Sequence, residues 1–481
     1  MRQKEKGYIL AEIVLVVGVL ACLLSIVTKS YIWFDEGFSI NLINNSFTDI
    51  ILFTALDVHP PLYYLILKIF TVILGHNVVA YYAPSILSYI ILLIITFLFF
   101  KKYFSEEAAL MVSVALSATP NMFDFALQIR MYSLGMLLVT ASFYIVYILT
   151  KNVLEDNQYS WSKYWLFLAV INVLAAYTHY FAGVAAVSIS FFLLFYLGVK
   201  GKNKKKVIFN WCIYCALMVI LYLPWLSVLI RQMSSVGSGY WIGKLTETEL
   251  HAFPGILFSM SNDLYGDLLS AAYIIGLFLF LLHFRKNHQN YWLSGCYIVI
   301  LLWFAFGIGY SVLKTPILVS RYMVVLLPLF WIPICVCYTK EEVKKYSAAF
   351  FVLLAVCFIN NYEKLYDTYL AYNQESMVSD ITSLLSEDDV LFYTNIKEMC
   401  IHKAYFPEAT CYALKGIDAD EVFHYWPEMT GCTMIEDMSE MDVVKGDIWM
   451  FNTDCMAQFQ ECGWQVEEVE VVTGIVYRVY R

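Results

Sequence analysis

Two acids stand side by side in DEGFS (Asp35 to Ser39), and a third precedes a histidine and two prolines in LDVHPPLYY (Leu56 to Tyr64). A carboxylate can take a proton from an attacking hydroxyl. Two arginines stand in apolar surroundings, Arg130 in FDFALQIRMY and Arg321 in LVSRYMVVLLP. Arginines hold a phosphate through paired, charge-assisted hydrogen bonds. Together these types suit transfer of a group away from a phosphate leaving group.

The elements that must position them are membrane helices. Hydrophobic residues make up 60% of the 481, aromatic residues 17% and charged residues only 15%. A soluble domain of this size exposes far more charge. Apolar runs predict about eleven spans, near 8–27, 79–100, 107–123, 131–150, 163–178, 180–199, 207–230, 265–284, 291–312, 317–338 and 346–361. The run at 8–27 reads as a retained span, because no small-x-small cleavage site precedes the acidic pair. Leu62–Leu74 is short, carries Lys68 and follows Pro60-Pro61, so it reads as a helix lying at the membrane surface.

Charge sets the orientation. With the N-terminus in the cytoplasm, the inner segments collect 17 lysines and arginines and the outer ones 7 (Lys29, Lys68, Arg130, Arg231, Lys244, Lys314, Arg321). An odd number of spans then places the tail outside. From Tyr362 onward 23 acids face 7 bases, a net of −16, whereas the rest carries 17 acids and 24 bases, a net of +7. No basic patch reads as nucleic-acid binding. The division expected is a membrane domain over 1–361 and an acidic extracytoplasmic α/β domain over 362–481. In that tail DVLFYTN and GDIWMFN read as buried strands and IKEMCIHKAYF as a helix. DADE (Asp418 to Glu421) has no Gly-rich phosphate loop beside it and reads as part of a generally acidic surface.

On this threading Asp35, Glu36, Asp57, His59, Asp124, Arg130, His179, Tyr180 (in YTHYF) and Arg321 all fall at the outer face. Ionisable side chains at the membrane edge are costly and are kept for function by default. Nucleotides are absent outside, so a lipid phosphate is the natural carrier of a transferred group there.

DEGFS after the first span, DVHPPLYYLILK, ALQIRMYSL, YTHYF and SRYMVVLLP, in that order, resemble the polytopic GT-C glycosyltransferases. The nearest branch is the glycosyltransferase 39 and protein O-mannosyltransferase-like proteins, with the aminoarabinose transferases. The resemblance covers roughly residues 1–340. It implies an all-α membrane fold, and an inverting transfer from a polyprenyl-phosphate sugar to an extracytoplasmic glycan, lipid or protein at the cell membrane. Asp35 matches the family's presumed base and Glu36 the second acid of its pair. Arg130 and Arg321 match basic residues near the lipid phosphate, and His59 joins them as a donor contact. Asp57, Asp124, Tyr132, His179 and Tyr180 are the candidate acceptor or substrate contacts. In the aminoarabinose branch a Glu-Lys pair precedes the double proline, where this chain has Val58-His59. Whether a divalent cation takes part is therefore left open, with Asp57 and His59 as the substitutes available.

Plainer readings accompany each residue. The acidic pair also suits capping of the following helix, His59-Pro60-Pro61 a helix start, and the arginines snorkelling to the interface. Rival functions are a transporter or flippase of lipid-linked saccharides, a membrane scaffold, and a transferase of another lipid group. A transporter calls for charge near mid-membrane and repeated halves; the ionisable residues gather at one face and no repeat is evident. Seven of the twelve cysteines lie in apolar runs and five in the tail (Cys400, Cys411, Cys432, Cys455, Cys462); their pairing is not readable from spacing.

Overall fold

The computed structural model describes residues 32–155, 160–238, 242–258, 264–283, 288–341, 344–371, 374–415, 425–471 and 474–481, with Val16, Val19 and Leu20. Apart from those three residues, the span expected at 8–27 lies outside the described residues, as does DADE. The chain divides into two units. The first holds residues 1–26, 59–63 and 78–365, and the second 27–58, 64–77 and 366–481.

The first unit is helical. Among the described residues six helices are long and apolar enough to cross a membrane: Val78–Tyr103, Tyr132–Leu154, Tyr180–Lys200, Lys204–Val236, Tyr291–Leu313 and Ser320–Tyr338. Tyr132–Leu154 is the most enclosed of the long α-helices. Its Tyr144 stacks on Phe99 at 4.1 Å, and its Phe143 carbonyl accepts from the Trp292 indole at 3.3 Å. Polar side chains tie the helices together where lipid offers no partner. The Ser142 hydroxyl donates to Asn172, the Asn172 amide to Tyr214, and Ser190 and Tyr214 share a further bond.

Two expected spans are broken, both at prolines. The run at 107–123 is split into Glu106–Ala118 and Pro120–Ala126, with Thr119 extended (ψ 120°). A residue before proline is pushed out of the helical region, and proline then starts the next helix well. The run at 317–338 begins as a 3₁₀ segment, Ser320–Leu326, and becomes α-helical only at Leu327–Tyr338, where Pro328 stands in the first turn. Proline has no N–H to give to the preceding turn. Glu247–Phe258, read from sequence as part of an outer loop, is a helix.

The second unit joins the tail to residues 27–58 and 64–77. Its sheet has the order β3-β2-β1-β4-β6-β5, with β1 Val390–Tyr393, β2 Thr410–Leu414, β3 Thr433–Ile435, β4 Ile448–Met450, β5 Gln465–Val471 and β6 Gly474–Tyr480. The first four strands pair in parallel, and β6 and β5 continue antiparallel. DVLFYTN and GDIWMFN are the adjacent, fully buried strands β1 and β4. IKEMCIHKAYF supplies the helix Ile396–Tyr405, capped by the Asn395 side chain accepting from the Lys397 and Glu398 amides. The hairpin of β5 and β6 has no counterpart in the sequence reading.

Three helices from the segment expected as the first outer loop belong to this unit: α1 (Phe34–Ile43), α2 (Phe47–Leu56) and, from Tyr64 on, α3 (Leu62–Leu74). α3 is the helix expected at the membrane surface, and it leaves Ile69, Val72, Ile73 and Leu74 exposed. Its Lys68 Nζ donates to the Ile43 carbonyl at 2.8 Å, satisfying the C-terminal end of α1.

Gly37 explains why α1 can lie so close to the helix Ile396–Tyr405. A Cβ at this position would stand 2.8 Å from the Cys400 carbonyl oxygen and 3.2 Å from the Ile401 Cα. Both are backbone atoms, which cannot swing aside. Asn41 uses the same carbonyl, donating to it at 2.7 Å. Gly37→Ala is therefore expected to cost about 1–3 kcal/mol through overpacking. The check is the thermal midpoint of the detergent-solubilised full chain; a midpoint equal to wild type would contradict the close approach.

His402, on the same helix, is only 9% exposed and packs 3.8 Å from the Phe451 ring. Its Nδ1 is buried without a hydrogen-bond partner among the described residues. Burial pushes its pKa down to about 3. The unfolded ring titrates near 6.5, so below that pH the unfolded chain takes up a proton that the folded one refuses. Stability falls as the pH drops from about 6.5 toward about 3, by up to roughly 5 kcal/mol. His402→Phe is expected to remove that part of the acid sensitivity. Parallel acid unfolding curves for the two proteins would contradict it.

Candidate functional site

The basic residues gather in the first unit around one turn. Helix Lys163–Thr178 ends at His179, and Tyr180–Lys200 begins directly after it. His179 caps the second helix: its Nδ1 accepts the Phe181 amide at 3.2 Å, which leaves the proton of the neutral ring on Nε2. The ring lies 4.9 Å from Tyr322, 5.7 Å from Tyr132 and 6.3 Å from His59, centroid to centroid. Burial, and then the charges of His59, Arg130 and Arg321, hold the His179 pKa well below the usual histidine value. This turn residue is therefore neutral, and three basic neighbours bear on it at once.

Arg130 owes its position to a break in the helices. Leu127 to Met131 form a non-helical turn between Pro120–Ala126 and Tyr132–Leu154. Arg130 is 2% exposed, and its guanidinium lies 3.4 Å from His59 Nε2. The Arg130 backbone is held from behind: the Ser85 hydroxyl donates to its carbonyl at 3.1 Å, and Tyr63 and Ser85 share a bond of 2.9 Å. Arg321 is half-buried in the 3₁₀ segment, its guanidinium 6.0 Å from the Tyr322 ring centre. Tyr132 is fully buried, edge-on to Phe125 at 4.8 Å. So Arg130, Arg321, His59, His179 and Tyr132 come together as one cationic, aromatic-lined cluster.

Other candidates of this unit have different surroundings. The Tyr180 hydroxyl bonds to Gln232 and Trp225 of the helix Lys204–Ser238. Asp124 is half-buried and accepts from the Gln128 amide at 3.0 Å. Arg231 is exposed, and His251 is an exposed surface residue 3.5 Å from Glu247.

The acids Asp35, Glu36 and Asp57 belong to the second unit. Asp35 and Glu36 occupy the first turn of α1, where carboxylates favour the helix dipole. Glu36 is fully buried, and its Oε2 accepts the Trp33 amide at 3.3 Å, satisfying one of the amides at the start of α1. Asp35 is half-buried, and its carbonyl accepts from the Ser39 hydroxyl at 2.9 Å. α1 is gripped along its length. Trp426 packs 5.2 Å from Phe34 and 5.1 Å from Phe38, Asn45 donates to the Met429 carbonyl at 3.0 Å, and the Ile32 amide donates to the Tyr405 hydroxyl at 2.8 Å. Asp57 caps the end of α2, 4% exposed, beside the Tyr425 phenol. Burial, and then the Asp57 charge, push that phenol's pKa well up, so it stays protonated. Among the described residues no three His, Cys, Asp or Glu side chains come together as a metal ligand set.

The residues that sequence reasoning missed are supporting ones. Tyr322 sits beside Arg321 in SRYM, and Tyr63 within LDVHPPLYY; each directly adjoins or closely follows a residue singled out, and only the fold shows what it touches. Tyr425 and Trp426 carried no signal at all.

Residues 58–227 match the family described as dolichyl-phosphate-mannose-protein mannosyltransferase. No curated protein matches by sequence. Among solved structures, the chain is similar to ArnT from Cupriavidus metallidurans bound to undecaprenyl phosphate, at 10% identity, with 98% of each chain covered and a TM-score of 0.67. The apo state of the same protein gives 11% identity, 99% of this chain and 98% of that one, and a TM-score of 0.66. An Archaeoglobus fulgidus oligosaccharyltransferase in complex with zinc and sulfate gives 12% identity over 91% of this chain and 67% of that one, with a TM-score of 0.52. The likeness to ArnT extends over nearly the whole of both chains.

Proposed function

We propose that this chain, a polytopic membrane protein of the GT-C glycosyltransferase type by its fold, moves a monosaccharide from a polyprenyl-phosphate donor to a hydroxyl of a glycan, lipid or protein outside the cytoplasm. The observation that carries the proposal is the cluster of His59, Arg130 and Arg321 around His179 in an otherwise apolar helical unit. Charges held at such a cost in a membrane fold serve an anion. A sugar–phosphate–lipid diester offers one, and ArnT, whose fold is shared, was crystallised with undecaprenyl phosphate.

The chemistry follows from charge. The acceptor oxygen attacks the anomeric carbon while the bond from that carbon to the phosphate oxygen breaks. The acceptor proton passes to Asp35, and polyprenyl phosphate leaves with one more negative charge than the phosphate carried in the donor. On this reading Arg130 and Arg321 donate to that growing charge, where stabilisation is worth most. His59 assists Arg130, and neutral His179 offers its Nε2–H as a hydrogen-bond donor. A single displacement inverts the anomeric centre. Asp57, Asp124, Tyr132 and Tyr180 are the candidate acceptor or sugar contacts. Glu36 acts by fixing the first turn of the helix that carries Asp35.

The test is stereochemical. Membranes containing the chain are given polyprenyl-phosphate sugars of known anomeric configuration, and the product's anomeric coupling is read by NMR. Inversion supports the single displacement; retention would require a covalent intermediate and would overturn it.

A further inference from the structure

Strand register brings two tail cysteines side by side. β2 and β3 pair in parallel, with Tyr412 opposite Thr433, Ala413 opposite Met434 and Leu414 opposite Ile435. One step back, the same register sets Cys411 opposite Cys432. Neighbouring parallel strands run about 4.8 Å apart, and directly paired residues point to the same face. That spacing falls within the roughly 4.4–6.8 Å between Cα atoms that a disulfide spans. Both residues are buried, both are free thiols in this structure, and their side chains lie within hydrogen-bonding reach of each other.

We propose that Cys411 and Cys432 form a structural disulfide that staples β3 to β2 and thereby holds the clamp on α1. Cys432 follows Gly431, whose left-handed backbone (φ +69°) ends the short helix Trp426–Thr430. That helix bears the Trp426 ring packed on Phe34 and Phe38, and the Met429 carbonyl that receives Asn45. Fixing Cys432 to the inner strand therefore fixes the two contacts that seat the helix of Asp35 and Glu36.

The pair is set up for exchange. The hydrogen bond from Cys432, with the nearby Lys403 ammonium, favours a thiolate on Cys411 against the cost of burial, and the same bond pushes the Cys432 thiol up. Cys411 is then the nucleophile. Its sulfur attacks a disulfide oxidant, either an oxidoreductase disulfide or glutathione disulfide, and displaces one thiol. Cys432 attacks the resulting mixed disulfide and releases the second. Two protein thiols lose two hydrogens in all, and the oxidant gains them.

The test uses the purified full-length protein in detergent, equilibrated with glutathione disulfide, blocked with N-ethylmaleimide and mapped by mass spectrometry. It does not depend on which side of the membrane the tail faces, or on sugar transfer. The result expected is one peptide pair joined through Cys411 and Cys432, lighter by two hydrogens, with Cys400 recovered as a blocked thiol after unfolding. Both cysteines recovered singly blocked, or either one joined to Cys400, Cys455 or Cys462, would overturn the proposal. A second arm follows thermal midpoints. Dithiothreitol is expected to lower that of wild type and to leave the C411S/C432S double variant unmoved. An equal shift in both would overturn the proposal.

Discussion

Asp35→Asn is expected to abolish sugar transfer while leaving the chain folded. The substitution keeps the shape of the side chain and removes its ability to take a proton. Loss of a positioned general base costs about 10²–10⁴-fold in rate. The fold has little reason to respond. Asp35 is only half-buried, and the bonds that seat α1 come from elsewhere: Glu36 to the Trp33 amide, Asn41 to the Cys400 carbonyl, and Asn45 to the Met429 carbonyl. The measurement is the initial rate of labelled-sugar transfer in membranes, with the thermal midpoint of the solubilised protein as the control. A variant that keeps both its midpoint and its rate would remove Asp35 from the chemistry. Glu36→Ala separates the two acids of the motif. It removes the acceptor of the Trp33 amide without removing the proposed base, so its effect is expected to fall on stability, by about 0.5–1.5 kcal/mol for the lost hydrogen bond, more than on rate.

The second large effect belongs to the arginines. Arg321→Ala and Arg130→Ala are each expected to lower kcat/KM for the donor by about 10²–10³-fold, or roughly 2.7–4 kcal/mol of transition-state stabilisation. Arg321 is half-buried at the start of a 3₁₀ segment, so its removal is expected to spare the fold. Arg130 is 2% exposed, and its alanine variant leaves a void among helices. Arg130→Lys therefore accompanies it. Lysine keeps the charge and most of the volume but loses the planar, paired donors. Transfer that stays low in the folded lysine variant locates the effect in the guanidinium geometry. Full activity in both arginine variants would move the phosphate away from this cluster.

The helices were largely legible because hydropathy is a direct consequence of the membrane as solvent. Tyr132–Leu154, Lys163–Thr178 and Tyr180–Lys200 lie within a few residues of their expected bounds. The breaks at Thr119 and before Pro328 were written in the prolines, but an apolar run hides them from a hydropathy count. The strands at Val390–Tyr393 and Ile448–Met450 were legible as short apolar runs between turn residues. Their parallel pairing was not, because it depends on partners 58 residues apart in sequence.

The basic cluster was legible in a different way. Arg130, Arg321 and His179 stood out because ionisable side chains in apolar surroundings are costly, and the fold brings those three together with His59 and Tyr132. Gly37 was quoted in DEGFS without a reason; its reason is a carbonyl on Cys400, more than 300 residues away, which no local pattern announces. The alliance of α1 with the tail was invisible for the same cause. The contacts of Phe34 and Phe38 with Trp426, and of Asn41 with Cys400, are tertiary and carry no periodicity.

The most direct measurement of the central claim is release of polyprenyl phosphate. Native membranes, which supply the acceptor, are loaded with the overproduced chain or its Asp35→Asn variant and given a panel of polyprenyl-phosphate sugars. The lipid product and the transferred label are counted together. The account predicts equimolar release and transfer from at least one donor by wild type, and neither above background in the variant. Release of lipid phosphate at the same rate in both proteins, or a folded wild-type chain that consumes none of the donors, would contradict it.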